Sequence, residues 1–138
     1  MRLHRLLSLV VVALAATVLP AASAVASVTS DVTIQMELSG PGGAGTTGTF
    51  AATGVLCPSG LILVENGAVV HTLTCTDDSG SFKIVFSGPF TDGFASTWRF
   101  ANGTGAFAHI TGGGDVISDT CTSGFPCTVD LMGVATIH

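Results

Sequence analysis

The chain is 138 residues long, and part of its high mean hydropathy comes from an apolar N-terminal leader. Beyond residue 26 only Lys83 and Arg99 are basic, against nine Asp and Glu residues, which leaves a net charge of about −7 on that part. Such a balance repels phosphate backbones and anionic lipid, so nucleic acid is excluded as an expected partner.

Arg2, His4 and Arg5 precede an apolar run from Leu6 to Leu19, which Pro20 ends. Ala22-Ser23-Ala24 and Ala24-Val25-Ala26 then offer two overlapping small-x-small cleavage sites. This layout predicts a secretory signal peptide over 1–26. The 14-residue run is shorter than the ~20 residues that span a bilayer. The expectation is an exported protein with no membrane insertion after leader removal. Residues 27–138 fit one domain.

The exported part holds all four cysteines, Cys57, Cys75, Cys121 and Cys127. An even number of cysteines in a small secreted chain reads as disulfides before metal ligands. The Cys121–Cys127 spacing also lacks the His pair of a zinc site. No metal or cofactor is expected.

No helical period is convincing, whereas short runs of Val, Ile, Thr and Phe alternate with glycine-rich turns. That pattern predicts an all-β domain, either a barrel or a Greek-key sandwich. The first strand falls on 31–38, a glycine loop on 39–48 and a second strand on 49–57. Residues 61–75 read as a hairpin turning at Asn66-Gly67, where both residues tolerate positive φ. A type I turn with a Gly67 bulge places Cys57 opposite Cys75, within disulfide reach. A two-residue turn shifts the register by one but keeps both cysteines at the same end. Cys121 and Cys127 then pair by exclusion.

Asp77, Asp78 and Ser79 suit a tight turn, and the twelve-residue calcium pattern is absent. The strands at 81–88 and 93–101 alternate. Phe82, Ile84 and Phe86 share a face with Phe94, Trp98 and Phe100. Lys83 and Arg99 point the other way, opposite or diagonal to each other, each expected to pair with a neighbouring acid. Gly103-x-Gly105-x-x-Ala108 matches the letters of a dinucleotide fingerprint, but that loop needs a parallel strand before it and a helix after it. Gly112-Gly113-Gly114 cuts off any such helix. The expected arrangement is a tight Gly103–Gly105 turn, a short Phe107–Ile110 segment and a glycine kink in the next strand.

The stretches "LTCTDDSGSFKIVF" and "STWRFANGTGAFAHITGGGDV" resemble a group of small secreted actinobacterial proteins. That group shares a Cys–Asp–Gly–Ser–Gly–Phe turn, a Trp strand and a Gly-Thr-Gly-aromatic-Ala turn. The last of these is similar to the turn of allene oxide cyclase and dirigent barrels. The resemblance covers residues 46–117, with Cys57 and Cys75 at matching positions and His109 replacing the usual glycine. It implies an eight-stranded antiparallel barrel whose interior holds apolar ligands, and for some members cyclase activity or the steering of radical coupling. Mature size, acidity and the short Cys121–Cys127 loop are more weakly similar to neocarzinostatin-type ligand-carrying sandwiches.

Catalytic chemistry has little support in the sequence. There is no Gly-x-Ser-x-Gly elbow, oxidised cysteines leave no thiolate, and His71 lies within a strand. The best catalytic candidates are His109 and its nearest acid, Asp115. Phe82, Phe86, Trp98 and Phe100 are candidate ligand-binding residues if the barrel has a cavity, and core otherwise. The leading reading is a secreted, non-enzymatic β-barrel that binds an apolar small molecule or a cell-envelope component. The alternatives are an isomerase or cyclase acting on an apolar metabolite, and a neocarzinostatin-like carrier.

Overall fold

Side chains alternate between buried and exposed through most of the strands, and the residues on the buried face are mainly apolar, with His71 of the described residues an exception. In the computed structural model, which describes residues 25–65, 69–88 and 95–138, eight strands follow one another. They are β1 (Val28–Ser39), β2 (Thr47–Ala52), β3 (Ser59–Glu65), β4 (Val70–Cys75), β5 (Gly80–Ser87), β6 (Thr97–Gly105), β7 (Thr111–Asp119) and β8 (Cys127–Ile137). Each pairs antiparallel with the next, and β8 returns to β1, closing an up-and-down barrel rather than a two-sheet sandwich. The β1–β8 seam is long, running in register from Val28↔Ile137 to Leu38↔Cys127.

Val32, Ile34, Met36 and Leu38 of β1 point inward, as do Ile62 and Val64 of β3 and Leu73 of β4. On β5 the inward set is Phe82, Ile84 and Phe86, and Lys83 faces out as the alternation requires. Between β5 and β6 the register slips, because Phe82 pairs with Gly103 while Ile84 pairs with Phe100. Two β6 residues thus oppose one β5 residue, a bulge that increases local twist and helps the sheet to curl.

Up-and-down order sorts the connections between two ends. The first and last described residues lie at one end with residues 53–58, 76–79 and 106–110. Buried Leu56, Phe107 and Ile110 cover the interior there, beside the Cys57–Cys75 disulfide. At the other end lie residues 40–46 and the loop closed by Cys121–Cys127, which contains a one-turn 3-10 helix at Cys121–Ser123.

Both expected disulfides are present, but the route to the first differs from the sequence reading. Glu65 pairs with Val70 and Gly60 with Cys75, so Cys57 is not opposite Cys75. Four residues link β3 and β4 in place of the shorter turn expected; the Asn66-Gly67 dipeptide itself lies outside the described residues. Cys57 precedes β3 and reaches Cys75 with a Cα–Cα distance of 5.9 Å. The second strand stops at Ala52 instead of continuing to Cys57. Gly54 turns the chain with φ +76°, where a side chain would meet the Asp31 carbonyl, and Pro58 has no N–H for a ladder. Nor is Gly103–Gly105 a turn: β6 runs through Gly105, which pairs with Gly80, and the chain reverses over Ala106–His109. Phe94 lies outside the described residues, as do residues 1–24.

Disulfide stabilisation grows with the loop closed. Replacing Cys57 and Cys75 together by Ala should therefore cost about 1 kcal/mol more than the same change at Cys121 and Cys127, since their separations are 18 and 6 residues. Urea unfolding of the two double variants measures the difference directly.

Candidate functional site

The four aromatic residues singled out as a ligand wall do come together inside the barrel. Phe82 is fully buried at their centre, with ring centroids 5.6 Å from Phe100, 5.8 Å from Phe50 and 5.2 Å from Phe107, all edge-to-face. Trp98 packs perpendicular to Phe100 at 5.1 Å. Phe86 meets the imidazole of His71 edge-on at 4.9 Å. Such geometry sets the electropositive edge of one ring against the face of the next, an attraction beyond area burial.

Room for the indole comes from small residues. Trp98 pairs with Gly114, and Gly114 pairs with Gly133 on the far strand. A Cβ on Gly114 would run into the Met132 carbonyl and the Gly133 Cα, so β7 and β8 lie closer together than residues with side chains allow. Trp98 is 2% exposed, and its Nε1–H donates to the Asp115 carbonyl at 3.1 Å. The ring is buried with its one polar atom satisfied.

His109 and Asp115 do not form a catalytic pair. His109 is exposed in the turn between β6 and β7, and Asp115 is exposed on the outer side of β7 beside Thr97 and Met132. No hydrogen bond or ion pair joins them among the described residues. His71 is the ionisable side chain that does face inward, 4% exposed on β4.

The carboxylates with displaced titration are structural. The Lys83 ammonium, 2.8 Å away, holds the half-buried Glu65 carboxyl below the usual range, so Lys83 pairs with an acid as expected. Arg99 is diagonal to Lys83 on the outer face and makes no ion pair among the described residues. The Ser79 hydroxyl and amide donate to Asp77 Oδ1 at 2.5 and 3.0 Å and lower its pKa, which fastens the turn before β5. Asp77 also lies near Cys57 and Cys75, with potential ligand atoms within 4.8 Å of one another. Both sulfurs are joined in the disulfide, however, so neither can act as a thiolate ligand. Partial burial pushes the Asp119 carboxyl upward, while the Cys121 N–H it accepts at 2.8 Å opposes that shift.

One feature of the outer wall is not anticipated in the sequence reading. Leu61 and Leu63 on β3 are 59% and 45% exposed, and with Ser39, Thr47, Thr49 and Thr74 they line a groove of about 480 Å³. The signal was present in "LILV", an unbroken apolar run where an antiparallel strand with one wet face should alternate.

Comparison of the chain with protein-family models, with curated proteins and with solved structures returns no match. Two disulfides suit an oxidising, extracellular-type environment. No helix among the described residues is long and apolar enough to cross a membrane.

Three outcomes are expected from these contacts. Trp98→Ala should lose ~3–5 kcal/mol of stability, because it empties a large site next to two glycines that cannot fill it. Native Trp98 emission should be blue-shifted and shielded from iodide, which fluorescence quenching checks. Asp119 responds to pH with the opposite sign to a salt-bridged acid. Its folded pKa is raised, so the folded state binds the proton more tightly and stability falls as pH rises from about 4 through the folded value. Asp119→Asn should gain relative to wild type over that same rise, as urea midpoints on either side of the window would record.

Proposed function

We propose that the chain is an exported, non-catalytic β-barrel module that binds an apolar small molecule or a cell-envelope component. One observation carries this reading. Aromatic side chains fill the interior around Phe82, while His109 and Asp115 stand outside without contacting each other. A general base and its orienting acid must lie within hydrogen-bond reach of each other and of substrate. These two do not.

Export rests on the basic, apolar and small-residue layout of 1–26, and the two disulfides support it. Kinship with the secreted actinobacterial group, and through it with allene oxide cyclase and dirigent barrels, rests on the turn and Trp-strand residues of 46–117. A closed eight-stranded barrel is the architecture that kinship implies. The cyclase reading would need an ionisable group facing a bound apolar substrate, and His71 is the side chain that would have to fill that role.

The test combines binding and turnover. Titration with the neutral dye N-phenyl-1-naphthylamine, followed by energy transfer from Trp98, and co-sedimentation with purified cell-wall sacculi probe the two ligand classes. At least one should show saturable binding that His109→Ala and Asp115→Asn leave unchanged. Binding in neither assay would overturn the module reading. Conversion of an apolar epoxide substrate that is lost in His71→Phe would replace it with the enzyme.

A further inference from the structure

Many hydroxyl side chains on the outer wall are bonded to one another. Thr29 meets Thr136 at 2.8 Å, Thr33 meets Thr53 at 2.9 Å, and Ser81 meets Thr104 at 2.9 Å across neighbouring strands or turns. Ser59–Thr76 and Ser87–Thr97 repeat the pairing at 3.2 Å. The wall over β2, β3 and β4 breaks this rule. There Leu61 stands between Thr49 and Thr74, and Leu63 lies beside Thr47, so each of these threonines has a leucine as one cross-strand neighbour, with Glu37, Ser81 and Ser39 respectively on the other side. Ser39, Thr47, Thr49 and Thr74 make no side-chain hydrogen bond among the described residues, although Ser39 and Thr47 pair across β1 and β2, and all four line the 480 Å³ groove with the two leucines.

The lining therefore offers two exposed apolar side chains, four hydroxyls without a side-chain partner and no ionisable group, with Glu37 next to Thr49 at its β1 edge. An apolar ligand would strip water from those hydroxyls without replacing the lost hydrogen bonds, at a cost for each one left unpaired. An anionic polymer would meet the net charge of about −7 on residues 27–138. A neutral saccharide suits every part: its C–H faces lie on Leu61 and Leu63, and its hydroxyls exchange hydrogen bonds with the threonines. The volume is within the ~300–1,000 Å³ of ligand clefts. We propose that this groove binds a neutral oligosaccharide strand of the cell envelope. The proposal rests on the binding-module reading and narrows its envelope component to uncharged glycan.

Amide chemical shifts of 15N-labelled protein test it. Cellohexaose, maltohexaose and chitohexaose are titrated separately, with hexagalacturonate as the acidic control. At least one neutral hexaose should shift the amides of Thr47, Thr49, Leu61, Leu63 and Thr74 saturably, and hexagalacturonate should not. Thr49→Val should weaken that binding about tenfold, the loss of one neutral hydrogen bond with its partner left unpaired. Leu61→Asp should abolish it while the spectrum stays dispersed, since Leu61 already faces solvent. The proposal is overturned if none of the three neutral hexaoses moves these amides, or if the shifts survive in Leu61→Asp. It is equally overturned if N-phenyl-1-naphthylamine or protein concentration alone moves the same amides and the sugars do not, which would assign the groove to an apolar ligand or a second copy. Dye binding sensed by Trp98 but not by these amides would leave the module reading standing without the glycan groove.

Discussion

Pairing of β1 with β8 is the contact on which the rest of the molecule depends. An open eight-stranded sheet would leave two rows of unpaired N–H and C=O groups and one wall of its apolar face exposed to water. Closure removes both costs at once. It joins the first described strand to the last, so neither edge can be satisfied until nearly the whole domain is present. The Cys57–Cys75 disulfide and the buried Leu56, Phe107 and Ile110 then cover one end of the cylinder. The Cys121–Cys127 loop constrains the chain at the other.

A closed cylinder also has a limited interior, and this explains the glycines. Trp98, Phe82, Phe86 and Phe100 all project from two adjacent strands, and the wall beside Trp98 closes tightly. It does so at Gly114 and Gly133, where backbone meets backbone. The glycine-rich run that looks like a phosphate loop thus serves the close backbone approach of β7 to its two neighbours. Function is shaped by the same limit. Polar chemistry is displaced to the outer wall, where so few charges remain that Ser and Thr pairs supply most of the cross-strand side-chain bonds.

Much of this was legible in the sequence because it depends on local patterning. Alternation in 31–38 and 81–88, glycine punctuation and an even cysteine count predicted an all-β, disulfide-stapled domain. The inward set of Phe82, Phe86, Trp98 and Phe100 followed from period two alone. Errors arose where a long-range term overrides the local one. The β3–β4 register was counted from turn chemistry, yet it is set three residues away by which apolar side chains the barrel interior accepts. Residues 53–57 look like strand, but Gly54 and Pro58 end the ladder. Gly103 to Gly105 read as a turn, but pairing with β5 keeps them extended.

For any one residue, sequence determined which face of a strand it occupies, because side-chain direction alternates with a backbone period that neighbours cannot change. It also determined the cysteine partners, since four cysteines near two tight connections left few geometric choices. Only the tertiary structure decided which strands are neighbours around the barrel, and with that which outward residues share a surface. Thr47, Thr49, Leu61, Leu63 and Thr74 are spread over three strands and mean little one by one. They become a groove because register sets a leucine between threonines, and register is fixed by closure of the whole sheet rather than by any segment of it.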